Sequence, residues 1–407
     1  MRAVAYRGAG EFIPFYALYA LLFADHGLNT AQISALLAVW SLTAFVLEVP
    51  SGAWADLVSR RLLLVMAGVL TAVGFACWSI FPGFIGFAAG FLLWGVGGAL
   101  QSGTFEALLY DELDARGAAG DYARILGYAT AAAELSALLA ILAAAPLFDW
   151  GGYALVGWSS VAAALVQVAL ASTLPAAPKV AEPLTARRTP LAGYLAMLRS
   201  GVGEAMRHGV VRRGVLLAAL LYGLTAIDEY FGLLAHDAGA ATGTVPLLVG
   251  LTVAGSLIGS TLAARTSGMR ARAMAAALIV AGLALAVGAL IGGPGLFGAA
   301  GFAAIGVGYG IVMNATVVTE ARLQDAITGP ARATVTSAAG LLSELVSLAI
   351  FAAVAVLTAV LPISATLALL ATPVLLSGFL ALRWLPRARA IVAEDGTTRA
   401  TEDRLPG

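Results

Sequence analysis

Between Phe12 and Leu385 the chain is a succession of apolar runs separated by short polar breaks. Each run is close to the ~20 residues that a helix needs to cross the hydrocarbon of a bilayer, and about twelve can be counted. Composition agrees: of 407 residues 60% are hydrophobic and 11% charged, with a mean hydropathy of +0.92. Soluble domains carry about 25% charged residues, so water is not the main solvent of this chain. A cleaved leader would pair a basic start and a short apolar run with a small-residue cleavage site, whereas Met1 to Gly27 leads directly into a second run, so the first helix is expected to be retained. Cys77 is the single cysteine and lies in an apolar run, which leaves neither a disulfide framework nor a thiolate metal site within one chain. No metal site and no cofactor are expected.

The net charge is +0, but the charges are sorted along the chain. With the N-terminus cytoplasmic, the inner loops fall near 52–61, 111–123, 175–213, 264–272 and 321–332, and both termini lie on that side. All 23 Lys and Arg then occupy those segments or their helix edges. The opposite loops, near 24–31, 80–84, 146–152, 236–246, 292–296 and 358–363, contain no Lys or Arg but hold Asp25, Asp149 and Asp237. This is the bias that orients membrane proteins with basic loops inside. An odd number of spans would have scattered the basic residues over both faces. A multi-pass protein of the cell membrane is expected.

The spans are placed at 6–25, 31–51, 62–80, 84–110, 122–145 and 152–174, then 214–235, 245–264, 273–292, 296–320, 333–357 and 363–385. Only one connection is long: 175–213 holds Pro175, Pro178, Pro183, Pro190 and seven basic residues and reads as a cytoplasmic linker, with Gly193 to Arg207 able to form a surface helix. The organisation expected is therefore 1–174 as an N-terminal six-helix bundle, the linker, 214–385 as a C-terminal bundle and 386–407 as a tail. The halves resemble one another. Gly95 to Gly98 in the fourth span parallels Gly306 to Gly310 in the tenth. Arg124 opens span five with Glu134 at its middle, while Arg332 opens span eleven with Glu344 at its middle.

Between spans two and three, Gly52 is followed by Asp56 four residues on and by the pair Arg60 and Arg61. This segment resembles the signature loop of the major facilitator superfamily. The spacing has a mechanical sense: glycine lets two helices approach, a carboxylate can face a helix N-terminus, and a basic pair can hold an acid on a neighbouring helix. The resemblance implies Asp56 near Arg332 to Val335, and Arg60 or Arg61 near Asp111, as the latch of an inner gate. Leu57 and Ser59 depart from the family pattern, which usually has a basic residue and a second glycine there. The corresponding loop of the second half, Gly259 to Arg265, lacks the aspartate. An arginine in span four and a Gly-Pro signature in span five, found in many family members, are also missing. The resemblance implies an all-α membrane protein of two pseudo-symmetric six-helix bundles, acting as a monomer on a small-molecule substrate, with no nucleic-acid partner.

An ionised carboxylate at bilayer depth costs at least ~2.5 kcal/mol, so acids within spans are functional candidates. Glu134 and Glu344 are the deepest. Glu11 must lie inside the membrane because only about a dozen apolar residues separate it from Asp25, and Pro14 after it can free a backbone carbonyl. Asp228 and Glu229 are adjacent in span seven, where at most one is expected to face a central cavity squarely. In the family resembled, spans one, four, seven and ten line the cavity, which favours Glu11, Gln101, Asp228, Glu229 and Asn314 as substrate-facing groups. Glu48, Glu106, Asp111 and Glu320 read as gate or structural acids. Phe12, Phe15, Tyr16, Tyr19, Tyr222, Tyr230 and Phe231 read as packing rather than as a pocket, and the pairs Gly86/Gly90, Gly255/Gly259 and Gly306/Gly310 as close helix contacts.

No Gly-x-x-x-x-Gly-Lys-Ser/Thr loop is present, so energy from ATP by that route is excluded. With carboxylates as almost the only deep charges, the expectation is a secondary active transporter, coupled to protons and exporting an amphipathic compound by alternating access. The alternatives are an importer or uniporter of a metabolite and a membrane receptor or scaffold without transport. An intramembrane enzyme is not expected, because the spans offer no His cluster and no Ser/His pair.

Overall fold

Apolar runs of this length have one way to satisfy their backbone in lipid, and they take it: in the computed structural model the chain is helical, with no strand among the described residues. The structure describes residues 1–175, 203, 209–293, 295–327 and 332–387, and for 48–57 and 332–334 the backbone only. The helices are α1 (Arg2–Glu11), α2 (Tyr19–Asp25), α3 (Thr30–Leu57), α4 (Arg60–Ile80), α5 (Phe84–Gln101), α6 (Thr104–Asp114) and α7 (Tyr122–Ser172) in the first half. In the second they are α8 (Gly209–Leu224), α9 (Phe231–Asp237), α10 (Val245–Thr266), α11 (Ala271–Leu290), α12 (Leu296–Ala326), α13 (Arg332–Leu357) and α14 (Ile363–Trp384).

Among the described residues ten stretches are long and apolar enough to cross a membrane. The difference from about twelve lies in two places. The first span is not one helix: α1 ends at Glu11, Ile13 is extended (φ −120°, ψ 95°), and Pro14–Ala17 form a 3₁₀ turn before α2 begins. Pro14 has no N–H to continue the helix, and the freed Phe15 N–H donates to Ser160 Oγ at 3.0 Å. Spans five and six are the opposite case, a single α7 of 51 residues interrupted only at Gly151 and Gly152. At 1.5 Å per residue it would run to ~75 Å, more than twice the hydrocarbon thickness. Gly152, at φ +58°, lets it turn back. The return is visible in its neighbours, since Thr173 accepts a hydrogen bond from Arg2 at 2.9 Å.

Two boundaries also move. Helix α3 continues through the motif segment to Leu57, so the loop expected at 52–61 shrinks to Val58 and Ser59. Helix α8 begins at Gly209, which carries Arg212 and Arg213 into its first turns rather than leaving them in a linker. The surface helix expected over Gly193 to Arg207 and the tail beyond Arg387 lie outside the described residues.

Lipid offers no hydrophobic drive between helices, so contact depends on close packing. Gly255 faces Gly306 and Gly259 faces Gly310 across α10 and α12, and Gly74 of α4 faces Gly90 of α5, each at backbone range. Gly86 differs, since its neighbour is the turn at Phe81 rather than another helix. Large apolar side chains point outward. Helix α11 exposes Val280, Leu283, Val287 and Leu290 along one stripe while burying Leu278, Ala281 and Leu285 on the other, as a helix between protein and acyl chains should. The halves meet where α3 packs on α13 and α7 on α10.

Candidate functional site

The two ends of the molecule are closed to different degrees. At the end carrying the acidic loops, one apolar core draws from both halves: Leu21, Phe23, Leu36 and Leu37 pack in the same cluster as Leu234, Val245, Phe351 and Val354. At the end carrying the basic loops the cores are separate. Tyr6, Leu64, Phe105 and Leu109 cluster within the first half, while Leu217, Leu221, Met274 and Val318, and Val211, Val215 and Leu323, cluster within the second. Between them lies a cavity of about 1230 Å³, running from Arg7, Glu106, Glu320 and Thr336 near the basic end to Tyr19, Asp228, Glu229 and Tyr309 at depth.

Broken helices place the acids in this space. Glu11 is the last residue of α1, just before the extended Ile13. In the second half the corresponding span breaks as well, with Thr225–Tyr230 forming a 3₁₀ segment between α8 and α9 that carries Asp228 and Glu229. Both of these acids line the cavity, contrary to the expectation of one. The reason is that their side chains diverge to different helices while the cavity lies between. Asp228 accepts a hydrogen bond from Tyr309 Oη of α12 at 2.7 Å, and Glu229 accepts one from Tyr19 of α2 in the other half. Glu11 accepts one from Tyr16 Oη at 3.1 Å. Each of these three carboxyl groups therefore has a tyrosine hydroxyl as donor.

Gln101 also lines the cavity, and its Oε1 lies 3.4 Å from Nε2 of Gln167, a buried residue on the return arm of α7. Three candidates are elsewhere. Asn314 is buried between α10 and α12, where its Nδ2 donates to the Gly259 carbonyl at 2.9 Å and its Oδ1 accepts from Thr266 Oγ1 at 3.1 Å. It lies beside the paired glycines of α10 and α12, outside the lining of the central cavity. Glu344 accepts a hydrogen bond from Ser41 of α3 at the contact of the two halves, and Glu134 is exposed on α7 outside the cavity lining. Span eleven carries Glu344 toward the opposite half, and neither acid is in the lining of the cavity.

At the basic end Arg60 of α4 pairs with Asp111 of α6 and donates to the Ala107 carbonyl at 3.2 Å. Arg61 instead reaches the Leu174 carbonyl at 3.4 Å, which settles which of the two meets Asp111. For Gly52, Asp56 and Arg332 the backbone alone is described, so the expected contact between the Asp56 and Arg332 side chains lies outside what is described. Glu106 sits 3.9 Å from Arg7 and Glu320 is exposed at the mouth. Sequence reasoning ranked Tyr16 and Tyr19 as packing and did not select Tyr309, Trp40 or Trp94, all of which line the cavity. Tyr16 stacks on Trp94 at 5.7 Å and Trp94 on Trp40 at 4.9 Å. Tyr309 carried one sequence signal: it interrupts the glycine run of span ten.

Two helical bundles around a central cavity, open at one end and sealed at the other, with discontinuous helices bringing acids to its floor, define a membrane transporter. The family model of the Major Facilitator Superfamily matches residues 3–352, and the chain belongs to that superfamily. Among solved structures it is similar to the nucleoside transporter NupG, at 13% identity and a TM-score of 0.73 over 94% of this chain and 98% of that one. It is also similar to PepTSo, a POT family transporter, at 13% identity and a TM-score of 0.69 over 93% and 96%. At these identities the likeness is one of fold. No curated protein matches the chain.

Proposed function

We propose that the protein is a secondary active transporter that exports an amphipathic small molecule in exchange for protons, by alternating exposure of its central cavity. The observation that carries this reading is the Tyr19–Glu229 hydrogen bond at the closed end of the cavity, because it joins a titratable group of one half to the other half. Protonating or ionising Glu229 changes what Tyr19 donates to, and so changes the relative energy of the closed end. Asp228 and Glu11 are the companion proton carriers, each with its own tyrosine donor. The basic end is read as the cytoplasmic one by its Lys and Arg, so the cavity as it stands opens to the side from which an exported solute would load. Trp40, Trp94 and Tyr16 supply the apolar wall and the acids the polar one, which suits an amphipathic solute. Helix α13 carries Glu344 against Ser41, where it can register the approach of the halves.

The test is proton movement in proteoliposomes under an imposed pH gradient, with cationic, neutral and anionic amphiphiles offered to wild type and to Glu11→Gln, Asp228→Asn, Glu229→Gln, Glu134→Gln and Glu344→Gln. Compound-dependent proton flux that is abolished by one of the cavity substitutions while binding persists supports the reading and names the carrier. Solute crossing without proton movement, unaffected by these substitutions, makes the protein a facilitator or uniporter instead.

A further inference from the structure

The charge on the cavity wall is lopsided. Its lining holds Glu11, Glu106, Asp228, Glu229 and Glu320 against Arg7 as the single base among the described lining residues. That base is already engaged toward the open end: its guanidinium lies 3.9 Å from Glu106 and 5.5 Å from the centre of the Phe105 ring. Glu11 is one turn along α1 from it and shares it with Glu106. Asp228 and Glu229 have no base beside them in the lining. What they have is a phenol donor apiece. A carboxyl group has more acceptor sites than one hydrogen bond fills, so one tyrosine leaves each with capacity turned to the cavity. Against these acids stands a slab of three rings, Tyr16, Trp94 and Trp40, stacked at 5.7 and 4.9 Å and all facing the cavity.

We propose that the cavity selects a lipophilic organic cation, its positive charge held by Asp228, Glu229 and Glu11 and its apolar body laid on the Tyr16–Trp94–Trp40 slab. Anions are repelled by the same acids. An inorganic cation would need a tight cage of oxygens, whereas about 1230 Å³ is the room of a drug-sized molecule. A cation over aromatic rings gains from their quadrupole, and the gain grows as the pair is desolvated. This inference rests on the transport reading only in taking the cavity as the solute's site, and the two can fail separately.

The probe is tetraphenylphosphonium, with tetraphenylborate as a control of the same shape and opposite charge, measured by equilibrium binding to the purified full-length protein in detergent. The expected result is saturable binding of the cation that the anion does not compete away. Binding should weaken at least about tenfold in the double variant Asp228→Asn/Glu229→Gln and again in Trp94→Ala, where an ion partner and a cation-binding ring are lost. Equal binding of the two ions by wild type overturns the proposal and requires no variant to fold. Undiminished binding of the cation by the double variant overturns it as well. Labelled cation is then followed in proteoliposomes: binding without flux supports the cation site and removes the transport reading. Flux of a neutral amphiphile by protein that does not bind the cation removes this proposal and leaves the transport reading standing.

Discussion

Arg322, on the last turns of α12, is 5% exposed and makes no ion pair among the described residues. It works through backbone: Nε and Nη2 donate to the Ser267 carbonyl at 3.0 and 2.6 Å, Nη2 also to Met269 at 2.6 Å, and Nη1 to Pro386 at 3.3 Å. One planar fork thus staples the α10–α11 turn and the end of α14 to α12. Arg322→Ala should cost about 2 to 4 kcal/mol, since buried carbonyls lose their donors, read as a lower thermal midpoint in detergent. Arg322→Lys should fall between, because an ammonium cannot reproduce the fork; a lysine variant as stable as wild type would contradict the staple. Tyr309→Phe makes a different prediction. It keeps the ring that packs edge-on against Phe231 at 5.6 Å and removes the hydroxyl that donates to Asp228 and, at 3.3 Å, to the Thr225 carbonyl. Stability should hold while substrate-driven proton flux needs roughly tenfold more substrate, the worth of one hydrogen bond to a charged group.

At the scale of elements the helices fall into two kinds. Spans one and seven are broken at their middles, at Ile13–Ala17 and Thr225–Tyr230, and hold the cavity acids; the paired-glycine helices α10 and α12 are unbroken and lie backbone to backbone. A Cβ on Gly259 would run into the Gly310 carbonyl, so Gly259→Ala should force α10 from α12 and cost about 1 to 3 kcal/mol by overpacking. Gly340 of α13 has open space around it, and Gly340→Ala should be neutral or stabilise by about 0.5 to 1 kcal/mol through reduced chain entropy. The contrast, read by thermal unfolding of the two variants, separates glycines that permit contact from those that do not. Asn314 belongs to this scale too, since its hydrogen bonds join α12 to α10 across the glycine seam.

For the whole molecule the consequence is directional access. The acidic end is sealed by a core common to both halves, and the basic end opens between separate cores. In a background with Cys77→Ala, Ser102→Cys in the cavity lining should react with a membrane-impermeant maleimide from the cytoplasmic face of oriented vesicles and stay inert from the outer face. Leu21→Cys, buried in the shared core, should be inert from both. Labelling of Ser102→Cys from the outer face only would reverse the orientation derived from the basic loops.

The placement of the apolar runs and the segregation of basic residues were legible in the sequence because each is a property of a single helix in lipid, whereas the break at Pro14 divided a span read as the one helix 6–25. Span length and loop charge act locally. So was the presence of Glu11, Asp228 and Glu229 at bilayer depth, since a charge inside an apolar run stands out wherever its helix turns. What the tertiary structure decided was rotation and partnership. In a chain apolar on every side, periodicity does not say which face looks inward, and Asn314 and Glu344, bonded to α10 and α3, and the exposed Glu134 all lie outside the cavity lining. The tyrosines followed the same logic in reverse. Tyr16, Tyr19 and Tyr309 resemble packing residues until the fold brings their hydroxyls to three carboxyl groups, across 5 residues for Glu11, 210 for Glu229 and 81 for Asp228.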